Sequence, residues 1–97
     1  MKIAGFDWDS ENWPKCGKHG VSLEEIEHLF LGGGAQVAPD LRHSSPAESR
    51  HIAVGRVGDR PLFVAFAFRN GFIRPISARY MHEKEVRNYE ASTNPQD

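Results

Sequence analysis

Two tight turns within residues 50–79 constrain this chain more than any other feature. Gly58-Asp59 and Asn70-Gly71 separate three runs, about 50–57, 61–68 and 72–79, that are rich in Val, Ile, Phe and Ala. Asn-Gly is a strong hairpin signal because a two-residue turn needs positive φ at its central positions. Three consecutive strands joined this way predict an antiparallel meander, and the rest of the chain must be arranged around it.

Strand alternation then distributes the side chains. With Asn70-Gly71 as a two-residue turn, Arg69 pairs with Phe72, Ala67 faces Arg74, and Leu62 faces Arg79. An even loop at 58–61 puts Arg50, Ile52, Val54 and Arg56 on the face of Phe63, Ala65, Ala67 and Arg69. Phe72, Arg74, Ile76 and Ala78 join that face. Leu62, Val64, Phe66 and Phe68 make the other, bulkier face, which is assigned to the main core. Arg50, Arg69 and Arg74 gather at one end of the first face, over the small Ala67, as a candidate site for an anionic ligand. An odd loop would invert the assignment. Pro75 has no N–H to donate, so its strand is an edge or carries a bulge. A bulge would switch Arg79 onto the arginine face.

Outside the meander, residues 2–8 read as a short strand. Pro14, Gly17 and Gly20 keep any helix over 9–20 short or irregular. Ser22 and Glu25 form a capping-box pair, followed by Leu23, Ile26, Leu29 and Phe30 on one helical face. Gly32-Gly33-Gly34 ends that helix. A short strand at 35–38 and a polar loop at 39–49 lead into the meander. A last helix covers about 81–90, and the tail 92–97 is expected to fray. The reading is one α+β domain over 1–97: N-terminal helices, a small antiparallel sheet and a C-terminal helix.

Hydrophobic residues are 39% and charged residues 26%, ordinary for a globular domain. No apolar run reaches the ~18 residues of a membrane span. The lone Cys16 fits a reducing cytoplasm. The net charge of −1 argues against a uniformly basic nucleic-acid binder, but its distribution is uneven. Residues 42–79 hold arginines at 42, 50, 56, 60, 69, 74 and 79 against Glu48 and Asp59, while both flanks are net acidic. Guanidinium presents a planar fork of donors suited to phosphate.

Four local patterns carry candidate chemistry. Lys18-His19, just before a helix N-terminus, can bind phosphate and move protons, or can be a plain loop ahead of an N-cap. Arg42 and His43, after Asp40, can reach a substrate or belong to a surface loop. Arg79 at the end of the meander can stabilise an anionic transition state. Tyr89 can stack on a base, transfer a proton or anchor the last helix. Cys16-x-x-His19 is half of a zinc-like spacing with no second close pair, so no metal or other cofactor is expected.

Taken in order, these segments resemble the BrnT family of bacterial toxins. The carrying residues are Phe6-Asp7-Trp8-Asp9, Lys18-His19-Gly20-Val21-Ser22, Asp40-x-Arg42-His43-Ser44, Glu48-x-Arg50, Gly55, Ile76-Ser77-Ala78-Arg79 and Tyr89. The resemblance spans about residues 6–90. It implies a RelE-like fold and a metal-independent ribonuclease that stops translation. It also implies a cognate BrnA-like antitoxin with its own DNA-binding part, no membrane, and contact with DNA only through that antitoxin. On this basis His19, Arg79 and Tyr89 are the expected catalytic residues. Lys18, Arg42, His43, Arg50 and Arg74 are the expected substrate contacts. The sequence departs from the family pattern at Trp13–Gly17, where Pro and Gly interrupt a helix, and at Pro75. An alternative is a non-catalytic module that uses its arginine face to hold an acidic segment of a partner.

Overall fold

The computed structural model describes residues 3–32 and 34–93. Its elements are β1 (Gly5–Phe6), α1 (Trp13–Gly17), α2 (Leu23–Leu31), β2 (Gln36–Pro39), β3 (Arg50–Val57), β4 (Arg60–Arg69), β5 (Phe72–Tyr80) and α3 (Glu83–Thr93). Among the described residues the strands form one sheet in the order β1-β5-β4-β3-β2. The α+β architecture expected from the sequence is present, with one addition. The N-terminal strand is shorter than expected and pairs parallel to β5, Gly5 with Phe72 and Phe6 with Ile73, so the sheet is mixed. Lys2, Gly33 and residues 94–97, which belong to the expected first strand, helix stop and frayed tail, lie outside the described residues.

Both meander turns have the expected two-residue length. Val57 pairs with Arg60, and Arg69 with Phe72, with Gly58, Asn70 and Gly71 at positive φ. The even first loop preserves the assignment of faces on β3 and β4; Ala78, expected on the arginine face, instead pairs with Val64 and is buried in the core. His51, Ala53, Leu62, Val64, Phe66, Ile73 and Ala78 face α2, whose Ile26, Leu29 and Phe30 are buried against them. Phe30 stands edge-on to Phe66 and Phe6, with ring centroids 5.0 and 5.9 Å apart, the arrangement aromatic quadrupoles favour. The capping box forms as predicted: Glu25 N–H donates to Ser22 Oγ, and Ser22 N–H to Glu25 Oε1.

The pairing of β4 with β5 differs from the uniform register at one place. Phe66 pairs with Pro75 and Ala65 with Ser77, which leaves Ile76 as an extra residue. Pro75 cannot donate to the ladder, and the bulge accommodates that lack. Downstream of it, Arg79 pairs with Phe63 rather than Leu62. The expected Leu62–Arg79 pairing is therefore replaced, and Arg79 moves to the arginine face. Its guanidinium carbon lies 4.4 Å from the Phe63 ring centroid, a cation–π distance.

Helix α1 covers the part of the β5 edge that β1 leaves open. Pro14 takes the first turn of α1, where a missing N–H costs nothing. Buried Asn12 ties the helix down, its amide donating to Pro75 O at 2.8 Å and Asp7 O at 2.9 Å. Helix α3 is fastened on the arginine side by charge. Arg79 donates through both terminal nitrogens to Glu85 at 2.8 Å each, and Arg56 pairs with Glu90 at 3.2 Å.

Two outcomes follow from this packing. A Cβ on Gly55 would lie 2.8 Å from Gly34 O and 2.9 Å from Leu29 Cδ1. Gly55→Ala should therefore destabilise the fold by about 1–3 kcal/mol in urea unfolding, because backbone and a packed leucine must both shift; an unchanged midpoint would refute that close approach. The Arg79 fork, helped by the His82 N–H, holds the Glu85 carboxyl at about 2, below its ordinary 4.5. A depressed folded-state value stabilises above the unfolded value and is lost as pH falls through the folded one. The stability advantage of wild type over Glu85→Gln should be constant above about pH 5 and vanish as pH falls from 4.5 towards 2. An advantage unaffected by pH would show that the pair does not hold α3.

Candidate functional site

The arginine face of the sheet is an open cleft. One end is a hollow of about 490 Å³ lined by Lys15, Glu48, Arg50, Arg69, Arg74 and Ile76, with Glu11 and Asn12. It continues into a second hollow of about 420 Å³, which shares Arg50 and Ile76 and adds Arg42, His43 and Asp40 on one wall. The floor of this second part is Ile52, Phe63, Ala65 and Ser77. Arg79 stands over Phe63 at the far end, where α3 begins. One cleft thus combines a cationic end, a half-apolar floor and an imidazole.

Each cation is placed by a different element. Arg50 opens β3 opposite Ala67, and Arg69 ends β4 on the same face. Arg74 is 14% exposed and reaches past Ala67 to Asp9 at 2.9 Å, Asp7 at 3.4 Å and Glu11 at 3.9 Å. Glu48 accepts from Arg50 Nε at 3.2 Å and from the Arg69 guanidinium. The side chain of Lys15, on α1, makes no hydrogen bond or ion pair among the described residues, and neither does that of Arg42. The bond from Arg74 is the main cause holding the Asp9 carboxyl below its ordinary range, and the bond from Arg69 does the same for Glu48. Reciprocally, the bonds to Asp9 and to Glu85 raise Arg74 and Arg79 further above their ordinary values.

The loop before β3 is shaped by its own side chains. Ser44 Oγ accepts from Arg50 N–H at 2.9 Å and donates to Asp40 O at 2.8 Å. Ser45 and Glu48 exchange backbone hydrogen bonds of 2.9 and 3.1 Å. His43 Nδ1 lies 2.9 Å from Asp40 Oδ2. In the neutral ring this contact puts the proton on Nδ1 and leaves Nε2 to accept.

Of the residues singled out from the sequence, Arg42, His43, Arg50 and Arg74 line the cleft, and Arg79 adjoins it through Phe63. Lys18 and His19 do not line it. They are exposed on the turn after α1, which meets the sheet through Tyr80, whose hydroxyl lies 3.5 Å from Gly20 O. Tyr80 follows Arg79 and points to the opposite face, where its hydroxyl donates to Glu25 at 2.9 Å and accepts from Arg60 at 2.6 Å. Tyr89 is half-buried on α3. Sequence reasoning missed Lys15, which joins the cleft only because α1 lies along the β5 edge. It also missed the pairing of Glu48 with Arg50 and Arg69, although the Glu48-x-Arg50 spacing hints at the first half. Cys16 packs in the core, where burial pushes its thiol up to about 11, so it is not presented as a ligand beside His19.

No curated protein matches the chain. A family model described as the ribonuclease toxin BrnT of type II toxin–antitoxin systems matches residues 8–85. The matched span starts at Trp8, ends at Glu85 and contains every residue that lines the cleft; Tyr89 lies beyond it. The chain belongs to the BrnT family of ribonuclease toxins of type II toxin–antitoxin systems.

Proposed function

We propose that this chain is a metal-independent endoribonuclease toxin that holds RNA in the cleft and stops translation by cutting it. The observation that supports this reading best is the continuity of the cleft. Its cationic end, its aspartate-oriented imidazole and Arg79 all lie along one sheet face. RNA carries its own nucleophile, the 2′-hydroxyl, so side chains need only move protons and stabilise charge. A base removes the 2′-hydroxyl proton, the oxygen attacks phosphorus, and the 5′ oxygen leaves with a proton. The products are a 2′,3′-cyclic phosphate and a 5′-hydroxyl.

In this reading His43 Nε2 is the base, with Asp40 on Nδ1 fixing the ring and stabilising its cation. Arg42 and Arg50 position the phosphates, and Arg74 supplies field from beneath. Arg79 meets the developing negative charge once phosphate replaces Glu85 on its fork. The resemblance assigned proton transfer to His19, a substrate contact to Lys18 and a catalytic part to Tyr89. In the present reading Lys18 and His19 guide RNA past the β5 edge, and Tyr89 anchors α3. The same cleft gives an antitoxin its target. A BrnA-like, DNA-binding partner would cover Arg50 and Arg74 with carboxylates over at least the ~1,200 Å² of a stable interface. No helix among the described residues is long and apolar enough to cross a membrane, and an RNA substrate places the toxin in the cytoplasm.

The purified chain should cut RNA in the presence of EDTA and leave 2′,3′-cyclic ends. His43→Ala should slow single-turnover cleavage by roughly 10²-fold or more, the scale of lost general base catalysis. Arg79→Ala should slow it by about 10²–10³-fold, the scale of a lost oxyanion donor. His19→Ala should cost far less. The reverse order of the two histidines would return proton transfer to His19. RNA left intact with and without EDTA would favour the non-catalytic binding module, which the internal pairing of the cleft arginines also supports.

A further inference from the structure

Glu48 lies where a phosphate would be expected. Arg50 and Arg69 are diagonal neighbours on adjacent strands, both on the cleft face and both beside Ala67, whose small side chain lets their forks converge. Two guanidinium groups repel each other unless an anion sits between them. Glu48 is that anion, one oxygen on Arg50 Nε and the other on the Arg69 guanidinium. Its carboxylate presents two oxygens to two forks, as two non-bridging oxygens of a phosphodiester would. The Ser45–Glu48 turn delivers the carboxylate through backbone hydrogen bonds, so little holds the side chain itself besides the two arginines. Beside it lies the 490 Å³ hollow with Lys15, a cation without a carboxylate partner among the described residues.

We propose that the Arg50–Arg69 fork is a phosphate site whose resident anion is Glu48, and that a phosphodiester of bound RNA displaces Glu48 from it. This rests on the reading that RNA occupies the cleft. Arg69 and Lys15 thereby become substrate contacts, Lys15 taking the phosphate next to the fork. Glu48 attenuates the toxin. Every binding event must exchange one internal ion pair for one external pair, so net affinity is lower than the arginine content suggests. The exchange also lowers the salt dependence, because Glu48 cancels part of the fork's positive charge and fewer counterions leave the RNA on binding.

The test is binding of a fluorescent 2′-O-methyl oligonucleotide, which the enzyme cannot cut, measured by anisotropy across a salt series. Glu48→Gln keeps the shape of the side chain and all backbone bonds of the turn, so the fold is retained. It should bind about two- to fivefold more tightly at low salt, the scale of one partly exposed charge pair. Its log–log salt slope should be steeper than wild type by about one. The double variant Arg50→Gln with Arg69→Gln should lose affinity. If the double variant binds as wild type does, the cleft is not the RNA site and the proposal falls with that reading. If the double variant loses affinity while Glu48→Gln gains none, RNA uses the fork but displaces nothing, and the exchange alone is overturned.

Discussion

The structure turns on the proline at position 75. A residue without an N–H cannot complete the β4–β5 ladder, and the chain responds with a bulge at Ile76. That extra residue reverses the side-chain alternation for the rest of β5. Arg79 therefore emerges beside Phe63 on the cleft face, and Tyr80 on the face that meets α2. The carbonyl of Pro75 is taken by the buried amide of Asn12, which sets α1 against the β5 edge and brings Lys15 into the cleft. One residue thus decides, through its missing N–H, which face of the sheet carries Arg79 and, through its carbonyl, where α1 and Lys15 lie.

The second organising feature is that the cleft arginines do not stand free. Arg74 is held by Asp9 and Asp7, Arg50 and Arg69 by Glu48, and Arg79 by Glu85. These pairs explain how a chain with a net charge of −1 presents a cationic cleft. The positive charge lies in arginines on a half-buried surface, and the balancing carboxylates reach in from flanking loops and helices. Internal pairing pre-orients each fork and limits the repulsion among them. Under the proposed function, RNA and antitoxin would meet the same contest, since either would have to offer the arginines a better anion than the one in place.

Much of this was legible in the sequence because it is local. Gly58-Asp59 and Asn70-Gly71 determine turn length, turn length determines register, and register gathers Arg50, Arg69 and Arg74 on one face. Ser22 and Glu25 announced the start of α2. Pro75 announced a bulge, but a proline alone does not say whether the strand shifts or merely lies at an edge. What stayed hidden depends on distant pairing. The parallel contact of β1 with β5 has no turn to signal it. The approach of Asp9 to Arg74 and of Glu85 to Arg79 needs α1 and α3 in place. The turn that carries Lys18-His19 meets β5 through Tyr80, the residue after Arg79, whose side chain lies on the opposite face. Alternation at the Arg79–Tyr80 step, not distance along the chain, separates that motif from the cleft.

The central claim is that the bulged face of the sheet, and not the face under α2, meets RNA. Methyl-resolved NMR of the chain titrated with an uncleavable oligoribonucleotide reads this directly. Ile52, Ala65 and Ile76 lie on the cleft floor or wall, and Val64, Leu62 and Ile73 are buried on the other side of the same strands. The account predicts chemical-shift changes concentrated on the first set, with the second nearly unmoved. Shifts centred instead on Val21 and Ile26, behind the Lys18-His19 turn, with Ile52, Ala65 and Ile76 silent, would contradict it.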